Sequence, residues 1–222
     1  MKPTVKRVLD LSLPLYHGCL WTPFLPLPEV NRTAHVGLEG YQMERVTMYT
    51  HTGTHIDAPA HLLKDGATLD TVAVERFQGA AVAVDLYHKE AREPITPQDF
   101  APYDSGIEPG DFVLLCTGWG TKAGPTKEYL FQSPWLRVDA ANYLIGKGIK
   151  GVGIDHPSIS GMEEKEDIPT HVALLGAGVL ILEGLSLPHE LLELSKWYLV
   201  ALPIPLQGAS GAPARVVAME LA

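Results

Sequence analysis

The strongest constraint on this chain is one stretch, Met48 to His61, which reads MYTHTGTHIDAPAH. It carries His51, His55, Asp57 and His61, the densest group of metal-ligand side chains in the sequence. A helix cannot gather all four. At about 3.6 residues per turn His51 and His55 are neighbours, but Asp57 and His61 point away. Gly53 and Pro59 also oppose a continuous helix. All four positions are odd, so a strand would set them on one side, yet Pro59 spoils a central strand. The spacing therefore predicts a strand over Met43 to Tyr49 that runs into a Gly-kinked loop. That loop doubles back and aims the imidazoles and the carboxylate at one point.

Imidazole with carboxylate suits Zn, Mn or Fe(II), and an aspartate can bridge two such ions. Gly53 permits close backbone approach. Thr52 and Thr54 offer hydroxyls that can hold the ligands from behind. A lone HxxxH more often marks a polar surface loop; HxGTHxDxPxH as a whole is far more specific.

The rest of the chain reads as a scaffold of strands and short helices. Strands are expected over Val5 to Leu13, Ala80 to Leu86, Asp111 to Thr117, Val152 to Ile154, Val179 to Leu182, Trp197 to Ile204 and Arg215 to Leu221. Pro23, Pro26 and Pro28 make Trp21 to Val30 an extended loop. Helical spacing appears over Val138 to Lys147, with Gly148 as its stop. Shorter helical pieces fall over Val72 to Phe77, Thr170 to Gly176 and Leu187 to Leu194, and Thr96-Pro97-Gln98-Asp99 has the chemistry of a helix start. The class is α/β or α+β, with a mixed sheet able to close as a barrel. At 222 residues the chain fits one domain spanning 1–222.

Composition excludes several functions. The formal net charge of −9 disfavours nucleic acid as a partner. Cys19 and Cys116 have no CxxC spacing, which argues against a disulfide framework and a thiolate zinc site. Cys116 lies in an apolar run and reads as a small core residue. Asp10 and Pro14 interrupt what would be the apolar region of a signal peptide, and no apolar run reaches the length of a membrane span. The expectation is a cytoplasmic protein.

Two further residues are candidate ligands. His171 opens a short helix. Glu183 ends the apolar run VLIL, where a carboxylate needs a metal, an arginine or a backbone cap as partner. Trp21 is either a cap on the core edge or an aromatic wall for a ring-bearing substrate or a dimer contact. Trp119, at a strand end, favours packing over pocket lining, and His35 reads as an exposed polar residue.

With these residues in view, the sequence resembles the cyclase family of metal-dependent hydrolases, which includes bacterial kynurenine formamidases and isatin hydrolases. The resemblance rests on HTGTHIDAPAH at 51–61, GVGID at 151–155, His171, ILEGL at 181–185, LVALPI at 199–204 and GAPAR at 211–215. It implies a swivelling β/β/α fold with a barrel-like mixed sheet and flanking helices. It implies that His51, His55 and Asp57 bind a first ion, and that Asp57 bridges to a second held by His171 and Glu183. His61 would move protons, and Trp21 would touch substrate. It implies Zn2+, one or two per subunit, with Mn2+ the alternative, and a homodimer or homotetramer. Formamidases of this kind carry aspartates where this chain has Ser160 and Ser210, and a small polar residue at His156. These departures leave the metal ligands intact and bear on the substrate.

The chemistry expected is amide hydrolysis of a small molecule. A divalent ion lowers the pKa of bound water from about 15.7 to about 7, and His61, ordinarily near 6.5, is suited to proton transfer. The bond would be a formamide such as N-formylkynurenine, or alternatively an isatin-like lactam or another cyclic amide or ester. The competing class is a non-catalytic metal-binding module, in which protein groups would fill every metal position.

Overall fold

The computed structural model describes residues 4–162 and 164–222, with side chains for 4–162 and 168–222. Among the described residues the strands follow in order: β1 Val5–Asp10, β2 Glu29–Ala34, β3 Met43–Thr47, β4 His55–Asp57, β5 Gln78–Asp85, β6 Pro94–Ile95, β7 Phe112–Cys116, β8 Trp135–Leu136, β9 Gly151–Ile154, β10 Leu180–Glu183, β11 Trp197–Pro203 and β12 Gly211–Leu221. The α-helices are α1 Val36–Glu39, α2 Lys127–Phe131, α3 Val138–Gly146 and α4 Glu164–Gly176.

The architecture is mixed α/β around a closed barrel. Seven strands run β12-β11-β5-β7-β9-β10-β4, and β4 pairs back onto β12. The run β5-β7-β9-β10 is parallel and the other pairings are antiparallel. Closure depends on the length of β12. One edge pairs with β11, while the other takes β4 at Gly211–Pro213 and β1 at Val217–Leu221.

Alternation along the strands divides the apolar side chains between two cores. Ala81, Ala83, Phe112, Leu114, Cys116, Leu180, Leu182 and Ile56 fill the barrel. Val82, Val84, Val113, Leu115, Val152, Ile154 and Ile181 face outward, where Ala140, Ala141 and Leu144 of α3 and Leu174 and Leu175 of α4 cover them. The inward positions of β9 are Gly151 and Gly153. A Cβ at Gly153 would lie 2.6 Å from Leu185 and 3.1 Å from Leu114, so the glycine makes room for both.

Several expected boundaries shift. Val5 to Leu13 is strand only as far as Asp10. The extended loop ends at Pro28, because Glu29 and Val30 open β2, which pairs with β3 in a separate hairpin. The strand starting at Met43 ends at Thr47 and not Tyr49. His55–Asp57 is itself a strand, and it ends before Pro59. The last strand begins at Gly211 and not Arg215. The helix expected from Thr170 begins at Glu164 and carries Pro169 within it. The Thr96 start is a 3-10 helix, Pro97–Tyr103, in which the Asp99 carboxylate accepts from the Thr96 backbone N–H at 2.7 Å. Cys19 and Cys116 are both buried and unpaired. Among the described residues no helix is long and apolar enough to cross a membrane.

Candidate metal centre

Strand register assembles the site. His55 and Asp57 are two apart on β4 and so share a face. In the β4–β10 pair His55 lies opposite Glu183. Ile56 and Leu182 point into the barrel, so His55, Asp57 and Glu183 project from the outer face. There α4 brings His171 over them. The loop before β4 supplies His51; it turns at Gly53, whose φ is +69°. A Cβ there would sit 2.7 Å from Leu15. Thr54 braces this loop, donating to the Gly184 carbonyl at 2.5 Å and accepting from Leu13 N–H at 2.8 Å. It thus holds backbone, not a ligand as expected.

The five candidate ligands converge. His51 Nδ1 is 2.7 Å from Asp57 Oδ1, and His55 Nε2 is 3.3 Å from the same oxygen and 3.4 Å from Glu183 Oε2. His171 Nε2 is 3.1 Å from Glu183 Oε1 and 3.8 Å from Asp57 Oδ2. The donor atoms also fall into two compact groups, His51–Asp57–His61 and His55–Asp57–Glu183. Asp57 belongs to both. The grouping departs from expectation: His61 joins His51 and Asp57, His55 joins Glu183 instead of His51, and His171 falls in neither group.

The electrostatics call for a cation. Asp57 and Glu183 are both buried, and no lysine or arginine among the described residues lines the site. Burial opposes a charge on His55, but the two carboxylates outweigh it and raise its pKa to about 10. Burial likewise works against ionised Asp57, yet the hydrogen bonds from His51 and His55 hold it well below the usual range. Glu183, opposed by burial and by the Asp57 charge, is still lowered by His171 and His55. His55 Nε2 and Asp57 Oδ2 are buried without a hydrogen-bond partner, and such atoms are costly. A divalent ion satisfies both atoms and balances both carboxylates, so the donor set fits a metal.

His61 differs from the other imidazoles. It is half-buried and lies over His51, ring centroids 4.0 Å apart and planes at 31°. Among the described residues its ring makes no hydrogen bond. Burial lowers its pKa, keeping the ring neutral.

These histidines floor a cavity of about 290 Å³. Thr22, Pro23, Phe24, Leu25, Tyr49, Pro157, Ser158 and Met162 complete its wall. Sequence reasoning did not identify these wall residues; only the place of Tyr49, two before His51, hinted at one. Trp21 is not among them. It is buried behind the wall, donates to the Pro14 carbonyl at 2.9 Å and packs edge-on against Tyr16 and Tyr129. The structure therefore gives it the core-capping alternative and does not bring it to the cavity as a substrate contact. Trp119 is buried too, with the Lys122 ammonium over its ring, and His35 is exposed.

The three departures have distinct places. Ser210 Oγ is 3.1 Å from His51 Nε2, and Ser160 Oγ is 3.0 Å from His171 Nδ1. His156 lies away from the cavity. Burial lowers its pKa to about 4, so it is neutral, donating to the Tyr129 carbonyl at 2.8 Å and accepting from Ser158 N–H. Beside it Asp155 accepts from Thr117 and Gly120 and anchors the loop after β7. Glu183 also accepts from Ile159 N–H at 2.7 Å, so it has a backbone cap as well as its histidines.

Comparison with known proteins agrees with this geometry. The family model described as "Putative cyclase" matches residues 9–160. A kynurenine formamidase of Bacillus cereus is 35% identical over 210 residues, covering 94% of this chain and 95% of that protein. One from Salinibacter ruber is 33% identical over 169 residues, covering 76% and 75%. A solved structure described as a "predicted metal-dependent hydrolase from Bacillus stearothermophilus" is 36% identical with a TM-score of 0.78, covering 96% of this chain and 98% of that one. Isatin hydrolase A from Labrenzia aggregata superposes with a TM-score of 0.85 at 26% identity, covering 96% and 93%. The chain belongs to the cyclase family, among metal-dependent hydrolases.

Proposed function

We propose that this protein hydrolyses the amide bond of a small aryl substrate, in an arylformamidase-type reaction that turns N-formylkynurenine into kynurenine and formate. One observation carries the reading. A buried cluster of three imidazoles and two carboxylates floors an apolar-walled cavity, with an untethered imidazole beside it. His51, His55 and Asp57 would hold one ion, and Asp57, His171 and Glu183 a second, Zn2+ or else Mn2+. An ion bound there acidifies water and polarises the scissile carbonyl.

The protein's own groups do the rest. Phe24, Leu25, Tyr49 and Met162 enclose the aryl ring and keep bulk water from the bond. His61, neutral through burial, takes a proton from the attacking water and delivers it to the leaving nitrogen, so that the amide and water become an acid and an amine. Its freedom from hydrogen bonds suits a group that must accept and release a proton. It also argues against a closed structural metal site.

The structural likeness to isatin hydrolase A favours a second reading, opening of an isatin-like lactam, with the same residues in the same roles. Assays of N-formylkynurenine and isatin on Zn- and Mn-loaded protein separate the two. Turnover of the formamide is expected; turnover of isatin alone moves the assignment to the lactam, and turnover of neither sinks both.

We also infer a homodimer or homotetramer. Among the described residues the β2–β3 hairpin pairs with no other strand, and Phe24, Val36 and Leu38 around it are 81%, 64% and 82% exposed. Light scattering should report two or four subunits; a monomer would refute the inference. Two buried free thiols suit a reducing cytoplasm.

A further inference from the structure

His51 and His171 each engage an oxygen at both ring nitrogens, and His55 engages one at Nδ1. One nitrogen faces the carboxylates and the other faces outward. For His55 the outward nitrogen is Nδ1, 2.9 Å from the Gly53 carbonyl. A carbonyl only accepts, so it holds a proton at Nδ1 and makes Nε2, which faces Asp57 and Glu183, the nitrogen free to give up its proton to a bound ion. That tether is backbone. The other two are side chains. His51 Nε2 meets Ser210 Oγ at 3.1 Å while its Nδ1 meets Asp57. His171 Nδ1 meets Ser160 Oγ at 3.0 Å while its Nε2 meets Glu183. Ser160 and His171 are both buried, so the contact excludes competing water. Ser210 sits immediately before β12, whose first residue pairs with Asp57.

We propose that Ser160 and Ser210 are positioning residues that hold the outward nitrogens of His171 and His51, and so set the cation affinity of the two halves of the centre separately. The inference rests on the metal-dependent reading above. A hydroxyl can rotate to accept the imidazole N–H, which turns the inward nitrogen's lone pair toward a bound ion. The two serines act on different carboxylate oxygens: Ser210 works through His51 on the Asp57 Oδ1 side, and Ser160 through His171 on the Glu183 Oε1 side. With their oxygens engaged by imidazole, these serines act on ligand geometry rather than as charged contacts for substrate.

The test uses the full chain and the variants Ser160→Ala, Ser210→Ala and Ser210→Thr. Zn2+ titration of the metal-free protein is followed by calorimetry, and ring-nitrogen NMR of 15N-histidine reads each tether. Each alanine variant should weaken Zn2+ binding by roughly 10–100-fold with an unchanged melting temperature. Ser160→Ala should move the Nδ1 resonance of His171 and spare Nε2 of His51, Ser210→Ala should do the reverse, and Ser210→Thr should restore affinity. Unchanged affinity in both alanine variants would overturn the proposal. So would both variants moving both histidines alike, which marks general loosening. If wild-type protein binds no Zn2+ or Mn2+, the metal-dependent reading fails instead, while the spectra of the metal-free protein still decide whether the tethers exist.

Discussion

Gly211→Ala should disable the site while sparing the fold. Gly211 begins β12 opposite Asp57, and its φ lies outside the left-handed region, so alanine suits the backbone. The obstacle is His51. A Cβ at position 211 would lie 2.4 Å from His51 Cε1 and 2.9 Å from each ring nitrogen, where ordinary contact begins at 3.4 Å. The ring must therefore retreat by about 1 Å, and its 2.7 Å contact to Asp57 and 3.1 Å contact to Ser210 cannot both survive. A misplacement of ~1 Å costs about 10²-fold in rate, or ~2.7 kcal/mol at ~1.36 kcal/mol per tenfold. Formamide hydrolysis measured beside Zn2+ titration and thermal melting should show losses in the first two and little change in the third. Wild-type activity and affinity in this variant would refute the placement of His51.

Other outcomes follow from the same geometry. His61→Ala should keep its metal content and lose roughly 10²–10⁴-fold in turnover; loss of metal together with unfolding would instead favour a structural site. Zn2+ at about 100 times its dissociation constant should stabilise the metal-free protein by ~2.7 kcal/mol in urea unfolding, and no stabilisation would count against a preformed site. His156 predicts a pH effect on stability. Its folded pKa of about 4 lies below the ordinary value of about 6.5, so the unfolded chain binds the extra proton between them. The stabilisation is complete above about 6.5 and is lost as pH falls toward 4, worth ~3 kcal/mol. Asp155, raised by burial to about 6, opposes this by favouring the fold on the acid side. The measurement is therefore the difference between wild type and His156→Gln in urea unfolding at pH 7.5 and 5. The variant should be less stable at pH 7.5 and lose less on acidification, and equal losses would refute the assignment.

Much of the centre was legible because its ligands are crowded in sequence. The period of two across His51, His55, Asp57 and His61 hinted at a strand, and β4 keeps that period for three residues before Pro59 ends it. Glu183 was legible as a carboxylate ending an apolar run. Its meeting with His55 was not, because it follows from the β4–β10 register. Closure of the barrel was hidden for a similar reason. Pro213 argues locally against a strand, yet Gly211–Pro213 pair with β4, and the Pro213 carbonyl still accepts from Ile204. β2 was missed because Glu29, Asn31, Arg32 and Thr33 show no apolar alternation; only its hairpin partner makes it a strand. The helix expected from Thr170 starts earlier, at Glu164, with Pro169 inside it, since a proline interrupts helical hydrogen bonding but does not forbid a helix. Trp21 shows the limit of reading a residue without its neighbours: its loop does line the cavity, but Thr22 to Leu25 face it while the indole turns inward.

Anomalous diffraction from crystals grown without chelator tests the central claim most directly. A peak at a zinc or manganese edge is expected between the nitrogens of His51, His55 and His171 and the oxygens of Asp57 and Glu183, about 2.0–2.2 Å from its ligands. Protein from the same preparation that hydrolyses the formamide yet shows no peak there would contradict the account.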